Sequence, residues 1–548
     1  MWQFSEVALN LVQTLYRLNR ATFQSGQADR DQLIVGLVHE LAATGEVAGV
    51  PCLARLIMKS SPAVQCAARQ ALAHILSTLP PSEILQSSDD FSSWTYNSYE
   101  LDEWDTLRPN DIVEVAGAPT DIGYFAVLEL LSFHRNGYTR HEAVRRLSQC
   151  RDGSELPFLL IRQNDWVEPI ARDTQAAVAE RINDDYLLHL VRSLNLIFHL
   201  STLRRRDHQG VVSRVVDLLI DESHRDLFLR IIEEGDRTVR RKMIQYGLTR
   251  AGLNQGRIVA LGIDSDDPVV RLECSRHLSA VYTGDNLRNV LDKVTRDDFM
   301  PVRREGLRVK AEYFPETAVE TWQHALTDAS PPIRALARIS LIKLGYPESE
   351  ITADYRRLLV YQPDALPVLQ GLAETGDQSD VEFFRSLLSH QFPNRRIVAV
   401  RGLSRINGEL SIPELLPFLR DISPRVVREV RKAIGRYPSA IDGEELLAAA
   451  LEAPGLYARR NAITLIAELG KWRCLPWLLA IASSANVEDA EFAEEKIREW
   501  FTPPKWNKVF TAPSSDAKQN ILSALEKAKG RVSEETIELA KLGLKQFN

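Results

Sequence analysis

The chain has 548 residues, 67 Lys+Arg against 74 Asp+Glu for a formal charge of −7, and is 45% hydrophobic and 26% charged. That apolar fraction excludes a disordered chain, and no run of about 18 apolar residues exists to span a membrane. Five scattered cysteines (Cys52, Cys66, Cys150, Cys274, Cys474) form no CxxC pair, which argues against a disulfide framework or zinc site and suits a reducing cytoplasm.

The N-terminus, MWQFSEVALNLVQ, lacks a basic region before its first apolar run, so no secretory signal is expected. The mild negative charge argues weakly against nucleic-acid affinity, and length alone predicts about three or four domains.

Residues 1–80 read as helical repeats. Ile34, Leu37, Val38 and Leu41 form an apolar stripe, and Pro62 is followed by Ala67, Ala68, Ala71 and Leu72 at helical spacing. Residues 81–120 interrupt the pattern. Between 70 and 107 there is no Lys or Arg, but there are seven acids and five aromatics, Phe91, Trp94, Tyr96, Tyr99 and Trp104. The stretch 87–107 is Ser-rich and has no helical stripe, so it reads as a long loop or insertion. Acids among aromatics suit docking onto a basic surface, of a partner or of the protein itself; the alternative is an acidic insertion pinned by its aromatics onto nearby helices.

Residues 121–500 are periodic. Proline falls at Pro301, Pro332, Pro363, Pro393, Pro424 and Pro454, spaced by 30 or 31, and an arginine follows shortly after most of them. Aspartate recurs in the same frame at Asp267, Asp298, Asp328 and Asp421. Each unit reads as two amphipathic helices. Ile412, Leu415, Leu416 and Leu419 mark a first helix; Ile333, Leu336, Ala337, Leu341 and Leu344 mark a second, which Gly345 ends. Asp or Ser suits the N-cap and proline the first turn. Backwards the frame is looser, with Arg240, Arg172 and Arg140 at the arginine place. Residues 501–548 break at Pro503-Pro504 and end in two helices near 515–529 and 533–546, a cap for the last apolar face, with a docking tail through Trp506 and Phe510 as the alternative.

The second-helix pattern, DDPVVRLECSRHL (266–278) and DASPPIRALARISL (328–341), resembles a HEAT-like repeat, and the short unit resembles the bacterial HEAT-like repeats first described in phycobiliprotein lyases. The likeness covers about 70–80% of the chain. It implies an all-α, right-handed superhelical solenoid of about 12–14 two-helix repeats of roughly 31 residues, with second helices on the inner surface. It also implies that Asp267, Arg271, Asp298, Arg303, Asp328, Arg334, Asp421 and Arg428 form a structural ladder tying neighbouring repeats, in preference to a phosphate-binding groove. Fold of this kind does not decide function.

The remaining basic residues are the candidate contacts. Arg241, Lys242, Arg304, Arg308, Arg401, Arg405, Arg431 and Lys432 flank the ladder on helix faces, and Arg204, Arg205 and Arg206 sit in the loop-like LRRRDHQG. Each set is either a solvated surface or a track for an acidic partner.

No phosphate loop, GxGxxG, GxSxG or HExxH motif is present. Asp264, Asp266 and Asp267 fall at a repeat turn and read as a cap in preference to a magnesium site. Trp166, Trp322, Trp472 and Trp477 read as core. The expectation is a cytoplasmic, non-enzymatic scaffold or adaptor for a protein partner, with no cofactor, metal or membrane contact. Nucleic-acid binding is the alternative, and a lyase-type or glycosylase-type enzyme subunit the third reading. The −7 resides entirely in residues 70–107; the other 510 residues carry 67 bases and 67 acids.

Overall fold

The computed structural model describes residues 5–20, 27–93, 104, 106–250, 255–502 and 511–545. Every regular element among them is an α- or 3₁₀-helix, paired into two-helix units consistent with a HEAT-like solenoid. None of these helices is long and apolar enough to cross a membrane. The contacts divide the chain into two compact units, residues 1–290 and 291–548.

The second unit shows the repeat most plainly. Val381–Leu388 packs on Pro393–Asn407, Gly443–Glu452 on Leu456–Glu468, and Lys471–Ala482 on Val487–Glu499. From Leu366–Thr375 onward each second helix also packs on the next, so the second helices form a continuous layer. One buried cluster runs through the unit, from Leu307 to Leu544. All four residues of the stripe at Ile412, Leu415, Leu416 and Leu419 are buried as expected, but the first helix is not a single α-helix. It divides into an α-turn (Ile412–Leu415) and a 3₁₀ segment (Leu416–Arg420). Pro417 cannot donate to Pro413, and the backbone tightens instead.

Gly345 ends the 331–343 helix with φ +84°. Its N–H donates to the Ile342 carbonyl (3.0 Å) and that of Tyr346 to Leu341 (2.9 Å), the paired bonds of a Schellman cap. At the other end the aspartate rather than the serine caps: the Ser330 and Ser423 hydroxyls make no cap bond, whereas the carboxylates of Asp328 and Asp421, two residues earlier, accept their backbone N–H at 2.7 Å.

The repeat arginine has a definite job. Arg303 donates through Nη1 to the carbonyls of Asp297 and Asp298 in its own turn (2.7 and 3.0 Å), and through Nε and Nη2 to both oxygens of Asp328 in the next (2.9 and 2.8 Å). Arg396 repeats this on His390, Gln391 and Asp421, and Arg140 on His134, Arg135 and Asp165. Arg334 holds the carbonyls of Asp328 and Ala329 but reaches Glu374 instead of an aspartate. Arg271 holds those of Ser265 and Asp266. A planar fork with five donors suits a site that offers two carbonyls and a bidentate carboxylate.

Two expected ladder positions are out of register by one residue. Asp298 is exposed and gives only its carbonyl, while Asp297 caps the turn by accepting from Phe299 N–H. Arg428 is exposed, and the residue at the ladder place, Val427, is buried.

The first unit is less regular. Tyr124–Leu131 packs on Gly137–Leu147, and Leu156–Arg162 on Glu168–Ala179. Gly123, at φ +87°, opens the first of these helices against the backbone of Arg69, where a Cβ would overlap the Arg69 carbonyl. Arg172, expected in the ladder, is exposed beside Asp173. Arg181 makes the buried tie here, to Glu155 (2.6 Å) and the carbonyls of Ser148 and Cys150. Residues 87–93, expected in a loop, are the last turns of the helix Pro81–Ser93. The closing helices lie at Ser515–Ala528 and Glu534–Lys545.

Candidate functional site

A cleft of about 1030 Å³ lies in the first unit. Its floor is apolar, with Leu85, Ile161, Leu196, Phe198 and Leu203. Among the described residues its charged lining is Arg135, Arg140, Arg162, Arg205 and Lys242 with one carboxylate, Asp165. Burial alone would raise the Asp165 carboxyl, but Arg140, the Val167 N–H and Arg162 outweigh it and hold it below the ordinary range. Lys242 is half-buried and makes no ion pair with a described residue.

Trp166, expected in the core, stands in the turn between Leu156–Arg162 and Glu168–Ala179. It is 69% exposed on the cleft wall, with the Arg140 guanidinium 5.6 Å from its ring centroid. The other three tryptophans read as core are covered more fully: Trp322 and Trp472 are buried, and Trp477 is half-buried with its indole N–H on Glu444.

The LRRRDHQG loop is fastened to this cleft. Arg205 donates to the Asn164 carbonyl (2.9 Å), Arg206 to that of Asp165 and to Glu168 (2.7 Å), and His208 is buried below them. Arg204 is exposed. Arg241, expected on an open face, is instead engaged bidentately with Asp267 (2.7 and 2.9 Å), and Arg240 takes Asp266. Asp267 also accepts from the Val269 N–H, which makes it a cap and a tie.

Two of the five insertion aromatics belong to the core. Phe91 is buried 5.2 Å from the Phe133 ring, and Trp104 is buried with its carbonyl accepting from His134 Nε2 (2.6 Å). These two pin this part of the chain onto neighbouring helices. Trp94, Tyr96, Tyr99, Trp506 and Phe510 lie outside the described residues.

A second cavity of about 460 Å³ in the first unit is lined by apolar Leu76, Ile84 and Phe125 and by polar Glu129, Asp152, Ser154 and His189. Burial pushes the Glu129 carboxyl well above the usual range; the Ser154 hydroxyl opposes this, and Asp152 and Glu155 add to it. Beside it, Cys150, Asp152 and Glu155 lie close enough to converge on a metal. Glu155 is already taken by Arg181, Tyr186 and the Gly153 N–H, and burial pushes the Cys150 thiol up to about 12. A protonated thiol and a committed carboxylate make a poor ligand set.

The second unit has a smaller groove of about 230 Å³ on its layer of second helices, lined by Gln370, Asn394, Arg401, Arg425, Arg428, Glu429 and Lys432. Arg401 is tied bidentately to Glu429 (2.8 and 3.0 Å). Lys432 is exposed without an ion pair among the described residues, whereas Arg431 reaches Glu468 (3.2 Å). Arg405 donates to the carbonyls of Ala373 and Gly376 and so acts as a tie. Arg304 is exposed, with no ion pair among the described residues; Arg308 is exposed and shared between Glu305 and Glu312.

No protein-family profile matches the chain, and no curated protein matches it. Solved structures do. The S. pombe condensin Cnd3–Cnd2 subcomplex aligns at 13% identity and TM-score 0.34, over 100% of this chain and 84% of that one. Importin beta aligns at 12% and 0.30, over 98% and 88%. Kap121p bound to Nup53p aligns at 12% and 0.27, over 98% and 66%. At identities and scores this low, no residue role and no partner carries over from those proteins to this chain.

Proposed function

We propose that the protein is an interaction scaffold that holds an acidic, aromatic-bearing segment of a partner protein, with the first-unit cleft as the principal seat. The observation that supports this is the cleft's composition among the described residues: five cations with one carboxylate beside an apolar lining, and an exposed tryptophan. Apolar burial supplies affinity there, and the rim selects acidic partners and speeds encounter. We further place the repeats in the short bacterial-type HEAT-like branch on their 30- to 31-residue proline spacing. Four of five cysteines are buried free thiols, which favours a reducing cytoplasmic setting.

The test is a fluorescently labelled peptide of interspersed Glu and Phe, titrated onto the full chain. R205E/K242E is expected to weaken binding by about a hundredfold, as two reversed rim charges each cost about 1–2 kcal/mol. Equal affinity for the variant and the parent would overturn the reading.

Single-stranded nucleic acid is the second reading, because an exposed Trp166 among arginines is also a stacking platform. It requires an oligonucleotide to bind more tightly than the peptide, with log K falling linearly in log salt.

A further inference from the structure

The second unit carries a charge pattern separate from the first-unit cleft. Arg and Glu of adjacent second helices neutralise one another across this layer: Arg338 with Glu374 (2.6 Å), Arg401 with Glu429 (2.8 Å) and Arg431 with Glu468 (3.2 Å). The helix Pro424–Ile434 contributes Glu429 and Arg431 to these pairs but carries further cations beyond them. Its inner face is a pure apolar seam of Val426, Val427, Val430, Ala433 and Ile434. Its outer face presents Arg425, Arg428 and Lys432, and Arg436 follows in the next turn; all four are exposed and none has an ion pair among the described residues. Three of the four line the groove with Gln370 and Asn394.

The spacings are three, four and four residues. Arg436 lies two residues past the helix end. At about 1.5 Å per residue Arg425, Arg428 and Lys432 stand about 4.5–6 Å apart along about 10 Å of helix. That is the pitch at which side chains at i and i+4 succeed one another on any α-helix. We propose that this stripe docks an acidic α-helix of a partner protein, whose Asp or Glu residues recur at three- and four-residue spacing and pair with Arg425, Arg428, Lys432 and Arg436. The helix lies along the groove, where Leu366 and Ile397 give its small apolar residues a footing and the amides of Gln370 and Asn394 serve its polar flank. The repeat architecture explains why the charges remain open. Arg303, Arg334 and Arg396 are consumed by the fold and Arg338, Arg401 and Arg431 by cross-helix glutamates, whereas the cations of this stripe have no such structural role.

The probe is a labelled alanine-based helical peptide with Glu at every fourth position, measured by fluorescence anisotropy on the full chain against a peptide of the same composition in scrambled order. Binding of the ordered peptide should weaken by at least about tenfold in R425E/R428E/K432E, should fall with salt, and should be unchanged in R304E, which reverses an exposed charge elsewhere. R428Q/K432Q, which adds no repulsion, should lose part of the affinity if the triple variant folds poorly by circular dichroism. R205E/K242E should retain it, so the two proposals fail separately. Equal binding by the triple variant overturns the site. Equal binding of the scrambled peptide overturns the helical register, and a single-stranded oligonucleotide that displaces the peptide at equal charge overturns the acidic-helix partner in favour of nucleic acid.

Discussion

Asp328 performs three tasks with one carboxylate: it accepts Nε and Nη2 of Arg303 and the backbone N–H of Ser330. Asp328→Ala leaves a half-buried guanidinium and a helix N–H without their acceptor, and should cost about 3 kcal/mol, read as a lower urea midpoint. Asp298→Ala, one place along the same sequence period, removes an exposed carboxylate whose only ladder contribution is its carbonyl, and should change stability by less than about 0.5 kcal/mol. The period alone does not separate these two aspartates, because a proline-based frame is blind to which side of a turn a carboxylate faces. The same blindness made Arg241 read as a free surface cation and Trp166 as core. Glu129 offers a pH test. Burial raises its carboxyl on folding, so its contribution is favourable below the ordinary carboxylate pKa and is lost as pH rises through the folded value. Glu129→Gln is isosteric and stays neutral, so it should raise Tm at pH 7. The gain over the parent should vanish as pH falls to about 4; a gain independent of pH would mean that Glu129 is ionised in the fold.

At the scale of elements, steric fit outweighs propensity where the two helices of a repeat pack closely. Gly371 lies inside Leu366–Thr375, and a Cβ there would enter the Tyr355 ring, itself held by its hydroxyl on the Leu326 carbonyl (3.0 Å). Ala would gain about 1 kcal/mol of helix propensity but overpacking costs about 1–3 kcal/mol. Gly371→Ala should therefore lower Tm, whereas Gly210→Ala, a helical position with open space around it, should raise it; calorimetry reads both. The helices of the second unit were legible because proline, aspartate and the apolar stripe repeat together there. The first unit was harder to read. Its tie at Arg181 runs backwards to Glu155 rather than forwards, and no period exposes a pair that occurs once. The 412–420 stripe was right about burial and wrong about helix type, since the stripe is indifferent to Pro413 and Pro417 while the backbone is not. Of the candidate surface, the LRRRDHQG loop and Lys242 were visible as charge. That they border one cleft with Trp166 depends on helix packing that no linear spacing encodes.

At the scale of the whole chain, the −7 formal charge conceals a balanced repeat array with one acidic stretch at 70–107, so open cations such as those on Pro424–Ile434 are not offset by a general negative surface. Stability has the same local character. Contacts cluster within residues 1–290 and within 291–548, and repeat stacks are stabilised by neighbour terms rather than by one global core. Urea unfolding should accordingly depart from a single two-state transition. Asp328→Ala, whose lost bonds all lie in the second unit, should shift only the transition of that unit, followed through Trp322, Trp472, Trp477 and Trp500. Exposed Trp166 and buried Trp104 report on the first. A Trp166→Phe background isolates the remaining signals. Coincident transitions in the parent, or an equal shift of both phases by the one substitution, would show that the two units unfold as a single cooperative body, with the ladder coupling turns far beyond its immediate neighbours.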